Sequence, residues 1–108
     1  MAITYKTLGQ VLSTANTLVD LYTVPTATNA VASTLTVCNQ GVSTNFRIAI
    51  RPLGAPIEAK HYIIYDNFVN ANDSIFLTIG IALQATSVVS VQAGTATVSF
   101  TLSGSEIT

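Results

Sequence analysis

The sequence predicts an all-β fold, an antiparallel two-sheet β-sandwich of about eight strands with jelly-roll or Ig-like connectivity. Three observations predict it. Thr, Val and Ile are abundant, and no long segment keeps an apolar stripe at i, i+3, i+4 and i+7. Apolar and polar residues alternate with period two in several places. Clusters of Pro, Gly, Asn and Asp interrupt those stretches at short intervals.

Read in order, strands are expected near 2–8, 17–24, 30–38, 44–51, 60–69, 74–80, 86–92 and 95–103. From Asn45 to Arg51, Phe46, Ile48 and Ile50 point inward while Arg47 and Arg51 share the outward face; Pro52, which has no backbone N–H, ends the ladder. From Thr95 to Ser103, Ala96, Val98, Phe100 and Leu102 point one way, and Thr95, Thr97, Ser99, Thr101 and Ser103 the other. The core is therefore expected around Phe46, Ile48, Ile50, Val98, Phe100 and Leu102.

Two stretches carry apolar side chains on both faces. Lys60 to Tyr65 does so at its centre, and Ile75 to Ile79 does so at Phe76. Each is expected to turn one face to the core and the other to a partner or loop. The six glycines are isolated, are read as strand ends, and form no phosphate-binding loop.

At 108 residues, with no repeat or linker, the chain reads as one domain over 1–108. Residues 1–12 are a candidate exchanging N-terminal arm, in which Ala2 to Leu8 pairs with the sheet edge of a neighbouring chain. Charged residues are only 8% of the chain, against about 25% in ordinary domains. Neutral Thr, Ser, Asn and Ala suit a surface covered by partners rather than one kept soluble by charge.

Net charge is −1 with no basic run, which argues against nucleic-acid binding by counterion release. No apolar run approaches the roughly 20 residues of a spanning helix, so no membrane role is expected. The start, Met1 to Lys6, lacks the basic-then-apolar layout of a secretory signal, and synthesis in the cytoplasm is expected.

Chemistry is sparse. The lone cysteine, Cys38, cannot form an internal disulfide or a Cys-based metal cluster. A Cys38–His61 nucleophile pair lacks a recognisable third group, so no catalytic residue is assigned. Asp66 and Asp73 flank a turn, yet oxygen-ligand loops are denser in Asp, so no metal or cofactor is expected. Asp73 instead suits a turn exit, capping backbone amides.

Arg47 and Arg51 lie about 13 Å apart along one strand face. They are read equally as a solubilising pair and as interface forks for carboxylates or carbonyls. The candidate interface set is Ile3, Tyr5, Arg47, Arg51, His61, Tyr65 and Phe76.

An ordered set of segments carries a resemblance: Leu21 to Pro25, Thr36 to Asn39, Phe46 to Ala55, His61 to Asp66, Ala71 to Ser74 and Phe100 to Ile107. In that order they resemble small β-sandwich virion proteins of tailed bacteriophages, cyanophages included. The resemblance implies a non-enzymatic virion component. Small size without a shaft-like repeat favours a capsid cement or decoration protein on the capsid surface. Its partner would be the major capsid protein, and it would act as a homo-oligomer, most simply a trimer. The alternative is a tail, baseplate or fibre module. A lectin-like carbohydrate-binding module is a third reading, weakened by the absence of Trp.

Overall fold

The computed structural model describes residues 2–108, in which eight strands build two antiparallel sheets of four. They are β1 (Ile3–Leu12), β2 (Val19–Thr23), β3 (Asn29–Asn39), β4 (Thr44–Arg51), β5 (Tyr62–Val69), β6 (Ser74–Leu83), β7 (Val88–Ala93) and β8 (Val98–Ile107). The only helical pieces among the described residues are two 3-10 turns, Pro52–Gly54 and Ala59–His61.

The first sheet runs β1-β8-β3-β6 and the second β2-β7-β4-β5. Every connection but β4–β5 therefore carries the chain from one sheet to the other. That wrapping is jelly-roll connectivity, and it decides between the two sandwich types left open by the sequence.

Alternation sets what each strand buries. Leu35 and Val37 of β3, Phe46 and Ile48 of β4, Val89 and Val91 of β7, and Phe100 and Leu102 of β8 are fully buried between the sheets. Phe46 and Phe100 meet edge to face across the sandwich, with ring centroids 6.3 Å apart. Ile50 packs against this core but is only half-buried.

Three local expectations are corrected. Ala96 is exposed, because β8 begins at Val98 and Thr95 to Thr97 belong to the preceding turn. His61 closes a 3-10 turn instead of lying on a strand face, since β5 begins at Tyr62. Gly9, Gly80 and Gly104 lie inside strands rather than at their ends.

Two of these glycines mark close backbone approaches. A Cβ at Gly9 would sit 2.1 Å from the Leu21 carbonyl oxygen of β2, and one at Gly104 only 1.9 Å from that of Val31 on β3. The chain also shifts register at Thr7/Gly9 in β1 and at Ala32/Thr34 in β3, bulges that bend the first sheet. The segment 3–12 pairs along its length with β8 of its own chain, from Ile3 opposite Ile107 to Leu12 opposite Ser99.

Candidate interaction surface

The register of the first sheet puts four rows of side chains on its outer face. Across β1, β8, β3 and β6 they read Tyr5–Ser105–Val31–Ala82, Thr7–Ser103–Thr34–Thr78, Gln10–Thr101–Thr36–Phe76 and Leu12–Ser99–Cys38–Ser74. No charged side chain stands in these rows. Hydroxyls occupy six of the eight central positions, beside Val31 and Cys38, and large apolar groups stand on the two edge strands: Tyr5 is 82% exposed, Phe76 72%, with Ile3 and Leu12 also open to solvent.

The charges lie elsewhere. Lys6 and Glu106 point inward from β1 and β8, where Lys6 Nζ meets Glu106 Oε1 at 2.9 Å and the buried Tyr22 hydroxyl donates to Glu106 Oε2 at 2.5 Å. On the second sheet Arg47 grips Asp66 with two bonds, Nε to Oδ1 at 2.6 Å and Nη2 to Oδ2 at 3.1 Å, and its guanidinium stacks 4.1 Å from the Tyr65 ring centroid. The Asp66 carboxylate, bonded by Arg47, is held below its usual range. Glu58 and Lys60 form a looser pair at 3.9 Å in the turn before β5.

Arg51 is built into the second sheet. It donates to Ser90 Oγ (3.1 Å), to the Ala55 carbonyl (2.9 Å) and to Asp20 Oδ1 (3.0 Å), while Ser90 Oγ also donates to Asp20. Ser90 is fully buried beneath it, and the Arg51 side chain is only 17% exposed. All four Lys and Arg side chains are thus paired with carboxylates. The fifth carboxylate, Asp73, accepts from the Ser74 amide at the turn exit.

The residues singled out from the sequence are dispersed. Ile3, Tyr5 and Phe76 stand on the outer face of the first sheet, and Tyr65 stands exposed on β5 beside Arg47. His61 is buried, its Nδ1 accepting from the Glu58 amide at 3.0 Å. Cys38 lies on β3 of the first sheet, while His61 adjoins the second; they do not form a pair. No group of three or more His, Cys, Asp or Glu side chains that could hold a metal occurs among the described residues.

Sequence reasoning missed the charge-free face as a unit. The alternation within 95–103 had marked its Ser and Thr as outward. Only the pairing of β1, β8, β3 and β6 places the four strands side by side.

No family model matches the chain, and no curated protein matches it. Among solved structures, it is similar to a chain in the structure of infectious bursal disease virus, Gx strain, with a TM-score of 0.50 and 14% identity over 97% of this chain and 32% of that one. This chain spans about a third of that viral chain's length. At such identity the likeness is one of fold.

Proposed function

We propose that this chain is a non-enzymatic virion structural protein, a cement protein of a tailed-phage capsid that bridges neighbouring coat subunits through the outer face of β1-β8-β3-β6. The observation that carries this reading is the segregation of charge, which leaves one whole sheet face neutral, hydroxyl-rich and rimmed by Tyr5, Leu12 and Phe76. Such a face loses no ion hydration when covered. Its short Ser and Thr side chains lose little rotamer freedom.

The jelly-roll fold, similar to that of a chain from a virus structure, and the ordered phage-like segments support the same reading. Binding the assembled shell in preference to free coat subunits stabilises assembly by mass action. A trimer at three-fold positions adds multivalency. Within it, residues 1–12 are the segment we assign to exchange, because β1 is an edge strand whose place on β8 a neighbouring copy's β1 can take.

The test is to mix purified protein with expanded, undecorated shells and separately with soluble coat subunits, and to image the products by cryo-microscopy. Ordered density on shells with no complex in the subunit mixture is expected. Tight binding to free subunits, or density on tails alone, would overturn the assignment.

A further inference from the structure

The opposite sheet carries a polar groove that the cement reading does not use. It forms where the β1–β2 connection, the start of β4, the middle of β5 and the end of β7 converge. Its volume is about 250 Å³, and Asn16, Thr44, Asn45, Gln92 and the Arg47–Asp66 pair line it.

The backbone holds this arrangement. The Asn16 amide donates to the Ala93 carbonyl at 2.8 Å, and the Gly94 amide to that of Asn45 at 3.1 Å. Asn16 itself is held at φ 54°, in the left-handed region that Asn tolerates better than most residues. Gly94 keeps the floor open: a Cβ there would stand 2.6 Å from Thr44 Oγ1 and 3.9 Å from Asn16 Oδ1.

We infer that this groove binds one neutral sugar unit. Three carboxamide residues line it, Asn16, Asn45 and Gln92, with Asn16 Oδ1 facing Gly94, and none of the three side chains hydrogen-bonds another group among the described residues. A carboxamide offers a donor and an acceptor side by side, which matches the donor-and-acceptor character of adjacent ring hydroxyls. Arg47 and Asp66 cancel each other's charge, so the groove favours an uncharged ligand over a phosphate or carboxylate. Their remaining N–H groups and lone pairs still bond hydroxyls. The volume lies below the about 300–1,000 Å³ of drug-sized sites, which limits the occupant to about one ring.

This site stands on its own residues and does not depend on the cement role. Isotope-labelled protein titrated with the methyl glycosides of glucose, galactose, mannose and N-acetylglucosamine tests it by amide chemical shifts. At least one probe is expected to shift Asn16, Asn45, Gln92 and Gly94 saturably, with a Kd of about 1 mM, a weak single-ring affinity. Gln92→Ala and Asn45→Ala are each expected to weaken that binding about tenfold, the loss of one hydrogen-bonding group. Phe76→Ala, on the other sheet, should leave it unchanged. Absence of saturable shifts with all four probes, shifts confined to other residues, or full binding by both groove variants would overturn the inference.

Discussion

Tyr22 of β2 and Glu106 of β8 join the two sheets through a hydrogen bond of 2.5 Å, and Lys6 of β1 meets the same carboxylate at 2.9 Å. One carboxylate therefore ties together three strands, two of them at the edges of their sheets. The Tyr22 bond, then the Lys6 bond, holds the Glu106 carboxyl below its usual range. Burial, and next the bond to Glu106, raises the Tyr22 hydroxyl.

A depressed carboxylate stabilises the fold above its unfolded pKa of about 4.3 and loses that contribution as pH falls through the lower folded value. Tyr22→Phe is expected to cost about 1.5–3 kcal/mol near neutral pH, the range for a hydrogen bond to a charged group. The difference from the parent should narrow as pH falls below the ordinary carboxylate range and Glu106 takes up a proton. Denaturant melts across pH 2–8 measure it. A gap independent of pH would remove the ionised Glu106 from the account.

Phe100→Ala should destabilise the domain by about 3–5 kcal/mol, because the ring is fully buried against Phe46 and its loss leaves a cavity between the sheets. Unfolding in denaturant with an unchanged m-value checks it.

Strand 44–51 was legible because Phe46, Ile48 and the two arginines alternate without interruption, and the strand ends where Pro52 stops it. Thr95 to Thr97 alternates just as well, yet it is a turn. Its side-chain and backbone groups serve local bonds, with Ser13 Oγ donating to the Thr95 carbonyl and Thr97 Oγ1 to Asn39 Oδ1. Periodicity cannot register such partners. Gly104 read as a stop for the same kind of reason: it is a passing place that lets β8 run on to Ile107, and only the position of Val31 reveals it.

The exposure of the candidate residues was legible in part. Phe76 and Tyr65 were marked by apolar residues on both faces of short strands, and both are exposed. Arg51 and His61 looked equally available. Their commitment depends on Asp20, Ser90 and Glu58, of which two lie on other strands or in distant sequence.

Gly104→Ala follows from the same geometry. A Cβ 1.9 Å from the Val31 carbonyl forces β8 away from β3, so a cost at or above the upper end of about 1–3 kcal/mol is expected. Thermal melts of the purified variant measure it. A melting temperature equal to the parent's would show that the two strands separate freely.

Cys38 and His61 should separate in what they contribute to stability. Cys38→Ser replaces a half-buried thiol on the outer sheet face and is expected to change stability by no more than about 0.5 kcal/mol. His61→Ala takes the acceptor from the Glu58 amide and should cost about 1–3 kcal/mol. His61→Ala should not alter shell binding by folded protein. Loss of binding by a folded His61→Ala variant would assign His61 a role beyond its turn.

Thr101 and Thr36 stand side by side at the centre of the neutral face, flanked by Gln10 and Phe76, so a lysine at either position would carry its charge into the middle of any partner docked there. Removing that charge from water without a counter-charge is expensive, whereas the same lysine on the isolated domain extends into solvent at little cost. Thr101→Lys and Thr36→Lys are therefore expected to melt within a few degrees of the parent yet lose shell occupancy. Gln92→Lys, on the opposite sheet, should keep it. A face without ion pairs also makes binding insensitive to screening, so parent occupancy should hold between about 0.1 and 1 M salt, where the Debye length falls from about 10 to 3 Å. Occupancy counted on shells by cryo-microscopy reads all three variants and the salt series. Full occupancy by both threonine variants would move the docking surface off this sheet, and occupancy lost in high salt would mean that the charged sheet takes part.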